Sequence, residues 1–291
     1  MIPRMNPTAA LTALSMSLFT AVLVNGQAIP ESVYPPPEPF VGDEPRETQT
    51  GLHFGLDTRY LTDYIWRGIE RFDTGRTEDE VNLQFQTRIG FDLGKLPHPY
   101  VDLFVNVAQN DPISSFQEVR PEVGFDWAVR PLMISTGYTS YIFPDRSGLD
   151  TNELFLRLTL DDSVIFHTER PILSPYVLAA YDFDIYDGLY LEAGVNHSMP
   201  IESTGLVLTA NAHAAYVNGH DLFALTSQSN TGFQHWQVGL TAKYTLNTLL
   251  NIPDRYGKIS LDGYINYTDS IDQDLFANDQ LWGGAGFTLE F

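Results

Sequence analysis

The residues most capable of chemistry are a histidine and a serine in the segment Asn196-His197-Ser198. An imidazole can take a proton from a serine hydroxyl only when both side chains lie within hydrogen-bond reach of each other. The segment has the alternating pattern of a β-strand, in which adjacent residues point to opposite faces of the sheet. We therefore expect no hydrolytic pair at His197 and Ser198.

A second candidate is an acidic cluster near the C-terminus, formed by Asp269, Asp272, Asp274 and Asp279. Clustered carboxylates can bind calcium, but this cluster lacks the glycine and the final glutamate of an EF-hand loop. We interpret it as a solvated acidic loop. Histidines such as His53 and His213 form no metal pair that the sequence reveals, and the chain contains no nucleophile elbow, phosphate-binding loop or zinc-protease helix. The sequence thus predicts no enzyme, no cofactor and no metal centre.

The charge and the amino-acid composition exclude further classes of function. The 291 residues carry a formal charge of −21 with only 16 lysines and arginines, so a nucleic-acid backbone would be repelled and is not an expected partner. The chain has no cysteine, which excludes disulfides, thiolate metal sites, a cysteine nucleophile and a lipidated cysteine. Hydrogen bonding and packing must stabilise the fold.

Two segments precede the region in which we expect the fold. Residues 1–28 have the features of a secretory signal peptide, with Arg4 followed by an apolar run and small residues near Ala28. The alternative, a membrane-anchoring helix, is less consistent with a short run that contains four hydroxyl residues. Residues 29–50 are rich in proline and glutamate and predict an acidic periplasmic linker, with a polyproline ligand for another protein as the alternative.

In residues 51–291, apolar and polar residues alternate with a period of two. Apolar residues from Val81 to Leu93 alternate with polar residues from Asn82 to Asp92, which predicts a strand of about thirteen residues. A strand in a soluble protein averages about five or six residues, whereas a tilted strand that spans a membrane needs about nine to eleven. The same pattern predicts about twelve strands, with ten to fourteen left open: 51–60, 79–93, 100–109, 118–129, 132–143, 153–160, 176–186, 189–201, 206–217, 233–246, 258–268 and 281–291.

The connections between these segments alternate in length, as they do in bacterial outer-membrane barrels. Short turns are expected at Gly94–Pro99, Arg130–Pro131 and Pro200–Gly205, and longer polar loops at 67–80, 144–152, 218–232 and 269–279. Two connections deviate, because Asp187-Gly188 is short and 161–174 is long, and Val164-Ile165-Phe166 could form an additional short strand. The pattern favours an all-β, antiparallel, up-and-down transmembrane barrel over a soluble secreted β-sandwich, which remains the alternative.

Aromatic residues and the C-terminus favour the membrane barrel. Several aromatic residues lie near predicted strand ends, where they are expected to form interfacial girdles: Tyr60, Tyr64, Trp66, Tyr100, Tyr138, Tyr141, Trp236, Tyr244, Tyr267 and Trp282. The last strand ends on Phe291, with Leu289 and Phe287 at alternate positions before it. This end resembles the terminal strand of outer-membrane barrels, whose final phenylalanine is recognised by the barrel-assembly machinery. The resemblance implies an outer-membrane location and that machinery as a partner.

The stretch Tyr60-Leu61-Thr62-Asp63-Tyr64-Ile65-Trp66-Arg67-Gly68-Ile69 resembles the first-strand motif of the TorF-type porin family, in which an aromatic residue precedes Arg-Gly-Ile. The resemblance extends more loosely over residues 51–291. It implies a barrel fold and an outer-membrane location, and it says little about activity.

If the apolar faces meet lipid, the polar faces line the lumen. The charged residues then expected to line a pore are Asp57, Arg59, Arg67, Arg88, Asp92, Asp102, Glu118, Arg120, Glu122, Asp126, Arg157, Glu192 and Asp262. Because acids outnumber bases, we expect a porin-like channel for passive diffusion of small hydrophilic solutes, weakly selective for cations. The alternative is a structural or adhesion barrel without an open pore, in contact with outer-membrane lipid and lipopolysaccharide.

Overall fold

The computed structural model of the protein describes residues 51–71, 82–108, 116–144, 146–201, 204–225, 229–253 and 256–291. The expected signal peptide (1–28) and linker (29–50) lie outside the described residues.

Within these described residues, twelve long antiparallel strands close into a single barrel, and two short strands pair only with each other. The prediction of an all-β, up-and-down barrel of about twelve strands is therefore confirmed, and the β-sandwich alternative is wrong. The strands are β1 (Gly51–Leu61), β2 (Ile65–Trp66), β3 (Ile69–Glu70), β4 (Asn82–Asp92), β5 (His98–Ala108), β6 (Phe116–Val129), β7 (Leu132–Tyr141), β8 (Thr151–Leu160), β9 (Tyr176–Asp182), β10 (Gly188–Ile201), β11 (Leu206–Asn218), β12 (Gly232–Thr245), β13 (Lys258–Ser270) and β14 (Gln280–Glu290).

The first and last strands close the barrel. β1 pairs with β4 on one side and with β14 on the other, in a register that places Gly55 opposite Glu290. The terminal residue extends this pairing, because Phe291 N–H donates to the carbonyl of Phe54 at 2.7 Å and Phe54 N–H donates to the carbonyl of Phe291 at 2.8 Å. Closure leaves no unpaired sheet edge, which a strand structure in lipid requires.

The connections sort to two ends of the barrel. The end that carries the start of β1 and the end of β14, here called the terminus end, also holds the turns expected at Gly94–Pro99, Arg130–Pro131 and Pro200–Gly205. The opposite end, called the loop end, joins β1 to β4, β5 to β6, β7 to β8, β9 to β10, β11 to β12 and β13 to β14.

The long connection between β8 and β9 contains a helical turn instead of an additional strand. Helix α1 (Ser163–Phe166) occupies the segment where Val164-Ile165-Phe166 suggested one. The Asp162 carboxylate accepts hydrogen bonds from the backbone N–H groups of Ile172 (2.7 Å) and Leu173 (2.8 Å). This folds the connection back on itself and removes it from the sheet. A second short helix, α2 (Asn247–Leu250), lies between β12 and β13.

The exterior of the barrel is apolar. On β5 and β6 the exposed side chains are Val101, Leu103, Val123 and Phe125, each about half exposed, and they alternate with inward-facing Asp102 and Glu122. Such a continuous apolar surface is far larger than a soluble monomer exposes, and it matches the lipid-facing belt of a transmembrane barrel.

Half of the aromatic residues expected in interfacial girdles lie inside the barrel instead. Tyr64, Trp66, Tyr100, Tyr141 and Trp282 are all at least 95% buried and belong to one interior cluster. On the barrel strands, the position of each residue in the alternation explains this. Tyr100, for example, lies on the inward face of β5 together with Asp102 and Phe104. Tyr138 does face outward, with 37% of its surface exposed.

Candidate functional site

A band of charged side chains crosses the inner wall of four neighbouring strands. Strand register places Arg88 of β4 opposite Asp102 of β5, Asp102 opposite Glu122 of β6, and Glu122 opposite Thr139 of β7. Because all four residues lie in phase on the same face, their side chains enter the lumen together. Asp126 of β6 joins the band through its ion pair with Arg88. The structure thus brings together four of the predicted pore residues: Arg88, Asp102, Glu122 and Asp126.

The two central carboxylates accept their hydrogen bonds from neutral groups. The hydroxyls of Tyr100 and Thr139 donate to Glu122 at 2.7 and 2.8 Å. The Gln86 amide donates to both oxygens of Asp102 at 3.0 and 2.9 Å. These contacts fix the two carboxylates in place on the inner wall.

Three arginines of the lumen lie over aromatic rings. The guanidinium of Arg88 lies 3.4 Å from the ring centre of Tyr100, that of Arg120 lies 3.9 Å from Phe104, and that of Arg157 lies 3.8 Å from Tyr176. Stacking of this kind holds a cation in place while leaving its edge free to donate hydrogen bonds. Arg88 donates to Asp126 at 3.0 Å, and Arg120 pairs with Glu118 at 3.1 Å.

The remaining predicted pore residues lie elsewhere along the lumen. Asp57 and Arg59 form an ion pair on β1, and Asp262 of β13 is buried on the same side of the barrel, across Gly286. Glu192 of β10 accepts hydrogen bonds from the hydroxyls of Tyr176 (2.6 Å) and Tyr190 (2.7 Å).

Asp92 does not join the other predicted pore residues. Its side chain is one-third exposed at the terminus end, where it accepts a hydrogen bond from Gly94 N–H at 2.7 Å and lies 3.4 Å from His98.

A cavity of about 30 Å³ lies beside the charged band. It is lined by Arg88, Asp102, Arg120 and Glu122, together with Glu153 of β8. This volume is large enough to hold water.

A short hairpin that the sequence did not predict fills the lumen towards the loop end. β2 and β3 pair through Ile65 with Glu70 and Trp66 with Ile69, and the turn between them is Arg67-Gly68. Both turn residues have positive φ (50° and 74°), a conformation that glycine adopts readily. A side chain at Gly68 would meet the ring of His235 at 2.5 Å, so the tip of the hairpin lies directly against β12.

The hairpin is attached to the barrel wall through both of its turn residues. The Arg67 guanidinium makes a two-point ion pair with the Glu153 carboxylate, at 2.7 and 2.9 Å, and both side chains are 97% buried. The Gln234 amide donates to the Arg67 carbonyl at 2.8 Å, and Asn278 N–H donates to the Gly68 carbonyl at 2.7 Å. The tip is therefore bonded to three sides of the barrel.

Aromatic rings complete this interior plug. Trp66 stacks on Phe223 with ring centres 6.3 Å apart and meets Tyr141 edge-on at 5.5 Å. Arg67 lies 4.2 Å above the ring of Tyr190. Sequence reasoning missed this cluster because it assigned Tyr64, Trp66 and Tyr141 to the membrane interface. Only Tyr141 lies on a barrel strand, and the phase that it shares with Thr139 on β7 was the signal that could have placed it inside.

Two histidines that the sequence did not pair are in contact. His213 of β11 and His235 of β12 approach through their Nε2 atoms at 3.4 Å, and His213 Nε2 lies 3.8 Å from a Glu192 carboxylate oxygen. Within the described ranges, no group of three or more histidine, aspartate or glutamate side chains is arranged to hold a metal ion.

The histidine–serine segment and the acidic cluster with which the sequence analysis began are bonded to other groups in the structure. The Nδ1 of His197 contacts the Ile172 carbonyl at 2.6 Å, whereas Ser198 contacts Thr209, so the two side chains have separate partners. In the acidic loop, Asp272 accepts a hydrogen bond from Asp274 N–H at 3.0 Å, and Asp279 accepts one from the Tyr267 hydroxyl at 2.7 Å.

The three residues of the expected assembly signal lie at the closure seam. Phe287 and Leu289 share the outward phase of β14 with Phe291, which is 64% exposed at the terminus end. Their side chains are thus available at the surface, and the backbone of Phe291 pairs with β1.

No protein-family model and no curated protein matches the chain. Among solved structures, the barrel is similar to an outer membrane channel from Pseudomonas putida F1, with a TM-score of 0.51 and 8% identity over 86% of this chain and 100% of that chain. It is also similar to the NanC porin (TM-score 0.46, 11% identity, 81% and 97% covered) and to outer membrane phospholipase A from Escherichia coli (0.41, 14%, 81% and 92%). The similarity is one of fold.

The fold and the exterior together define where the protein resides. Among the described residues, no helix is long and apolar enough to cross a membrane. The described strands close around a charged interior and present an apolar exterior, an architecture in which neighbouring strands supply one another's backbone hydrogen bonds within lipid. The protein is an outer-membrane β-barrel.

Proposed function

We propose that the protein is a narrow, porin-like channel through which small hydrophilic solutes diffuse passively, with a weak preference for cations. The observation that carries this proposal is the band of charged residues at Arg88, Asp102, Glu122 and Asp126 on the inner wall. Ionised groups in a dry interior cost several kcal/mol each unless they are paired and hydrogen-bonded, and apolar residues would stabilise a solid barrel better. A charged lumen is therefore best explained by contact with water and solutes.

The weak cation preference follows from how the charges are paired. Arg88 and Arg120 lie among four acids, since Arg88 bonds Asp126, Arg120 pairs with Glu118, and Asp102 and Glu122 lie on the same inner wall. A surplus of negative charge in a narrow, low-dielectric bore attracts cations and repels anions. Because the arginines cancel part of this field and salt screens the rest within about 10 Å at 0.1 M, the preference is modest and depends on ionic strength.

The remaining features of the chain fit an exported outer-membrane protein. Residues 1–28 act as a signal peptide and residues 29–50 as a periplasmic linker in this proposal, and the Tyr60–Ile69 motif relates the chain to TorF-type porins. Phe287, Leu289 and Phe291 serve as the signal for the barrel-assembly machinery. The loop end then faces outward, where it meets lipopolysaccharide.

A second candidate is a structural barrel without an open pore. The interior aromatic cluster favours it, because Trp66, Tyr141, Tyr190 and Phe223 are almost fully buried and pack as in a protein core. In that case the hairpin would be a permanent part of the barrel.

Planar-bilayer recording separates these candidates. We would compare the wild type with a variant in which Asp63–Arg71 is replaced by Gly-Ser-Gly, after confirming by heat-dependent gel mobility that both are folded. The channel proposal predicts discrete current steps, larger in the variant. Folded protein that gives no current steps in either form would refute the channel and favour the structural barrel.

A further inference from the structure

We propose that the hairpin of residues 63–71 is a displaceable gate, which closes the lumen at the loop end while it is docked and opens it when it leaves. The proposal rests on the channel function given above. The gate is a single segment attached to the wall at Glu153, and its motion can be measured without recording current.

The docked hairpin crosses the whole bore. Tyr64 reaches the wall at β5 and β6, since its ring lies 6.1 Å from Phe104 and its hydroxyl donates to Glu118 at 3.4 Å. On the far side, Gly68 lies against His235 of β12. The docked hairpin therefore spans the lumen from β5 and β6 on one side to β12 on the other.

The hairpin can leave without disrupting the barrel sheet. In the described part of the chain, β2 and β3 form a separate two-stranded sheet, and the twelve barrel strands pair in an unbroken ring without them. Undocking therefore breaks side-chain contacts and the few hydrogen bonds at the tip, such as those from Gln234 and Asn278. None of the inter-strand bonds that hold the barrel in lipid is lost.

The main attachment is an ion pair, and its formation carries two opposing contributions to the free energy of docking. Burying Arg67 and Glu153 removes both from water, and the two-point contact offsets that desolvation cost. When the hairpin leaves, both charges regain water, and Glu153 remains on the wall next to the cavity that contains Asp102 and Glu122. A contact of this kind stabilises one conformation without locking it.

A second segment at the loop end covers the hairpin. Phe223 stacks on Trp66, and its carbonyl accepts a hydrogen bond from Phe276 N–H at 2.8 Å, which ties the β11–β12 loop to the β13–β14 loop above the hairpin. The loops and the hairpin form one packed layer, so they are expected to open together.

Cysteine labelling tests the motion directly, because the chain contains no natural cysteine. Ile69 is 95% buried at the hairpin, so Ile69→Cys reports its exposure to a maleimide that cannot cross the membrane. We would measure its labelling rate alone, with Glu153→Gln, and with the matched control Glu290→Gln. Glu290 also pairs with a cation, Lys243 at 3.0 Å, but it lies at the terminus end, away from the hairpin.

The proposal expects labelling at least tenfold faster with Glu153→Gln than in the Ile69→Cys background, and no change with Glu290→Gln. Equal rates in all three folded proteins would overturn the gate, whether or not the protein conducts. Faster labelling with Glu153→Gln in a protein that carries no current in any form would support the motion and overturn the channel function alone. Heat-dependent gel mobility confirms folding in each case, and Arg67→Gln provides a second variant with the same expected result.

Discussion

Arg67 and Glu153, 86 residues apart in the chain, meet inside the barrel as a two-point ion pair. Glu153 is positioned by its place on β8, where it pairs with Thr139 of β7 and Asp182 of β9. Arg67 reaches it only because the chain leaves β1 after Leu61 and turns inward, with the left-handed turn at Arg67-Gly68 directing the guanidinium at the wall. The pair thus links the first loop of the chain to the opposite side of the lumen.

The coupling between these two residues can be measured by a double-mutant cycle. Arg67→Gln and Glu153→Gln each leave one buried charge without its partner, which costs about 3 to 5 kcal/mol when the charge cannot rehydrate. The double change removes both charges, so its effect on the docking equilibrium should be clearly smaller than the sum of the two single effects. Labelling rates of Ile69→Cys in the four backgrounds provide the measurement. Additive effects would contradict a direct ion pair.

Lowering the pH should favour undocking of the hairpin, because His220 then gains a proton. Burial, and secondarily the positive charges of Arg67 and Arg71, lowers the pKa of the His220 imidazole from 6.5 to about 3. The buried imidazole of the docked state binds a proton less readily than the imidazole of a solvated loop. The contribution of neutral His220 to the stability of the docked state is therefore fully present above pH 6.5 and is lost as the pH falls from 6.5 towards 3. We expect up to about thirtyfold faster labelling of Ile69→Cys at pH 5 than at pH 8, after correction for the intrinsic pH dependence of the thiol.

His220→Phe should retain the packing against Tyr186 and Phe223 while removing most of this pH dependence. His98→Gln, which changes a histidine at the terminus end, is the control and should retain it. An unchanged pH profile in His220→Phe would show that another group carries the effect.

Substitution of Gly68 tests how closely the hairpin tip packs against β12. A Cβ at this position would lie 2.5 Å from the His235 ring, and its φ of +74° disfavours any other residue. Gly94 is a matched control, because it has nearly the same φ of +72° and nothing within 4 Å of an added Cβ. We expect Gly68→Ala to undock the hairpin and raise the labelling of Ile69→Cys at least fivefold, while Gly94→Ala leaves it unchanged. Similar rates in both variants would mean that the tip does not press on β12.

Deletion of Phe291 tests the closure seam. Both backbone groups of Phe291 bond to Phe54, so the deletion removes the last pair of hydrogen bonds between β14 and β1 together with the exposed aromatic end. The folded, heat-modifiable yield in the outer membrane should fall severalfold, and Glu38→Ala, in the segment that precedes the barrel, should leave it unchanged. Equal yields would count against an assembly role for this end of the chain.

The alternation of apolar and polar residues was sufficient to predict the barrel. Strands such as Lys258–Ser270 were placed to within two residues, because a repeat of two sustained over ten or more positions matches the geometry of a strand and not that of a helix. The outward face was also correct, since the exposed belt through Val123 and Phe125 is the apolar face of the pattern.

The contents of the lumen could not be predicted in the same way. The hairpin at Ile65–Glu70 has strands of two residues, too short for any periodicity, and its position depends on Glu153 and Gln234, which are distant in sequence. The contact between His213 and His235 likewise depends on the register of β11 against β12 and on a bulge between Ala214 and Tyr216. Local patterns carry no information about such cross-barrel contacts.

If the charged band lines a conducting, weakly cation-selective bore, the reversal potential of the hairpin-deleted variant under a salt gradient measures that selectivity. With Glu122 and Asp126 intact, we expect a small reversal potential of the sign expected for cations, which decreases as salt rises. Replacing both residues by lysine should shift the potential towards anions. A variant that conducts but prefers anions, or a double replacement that leaves the reversal potential unmoved, would contradict the assignment of this band to the bore.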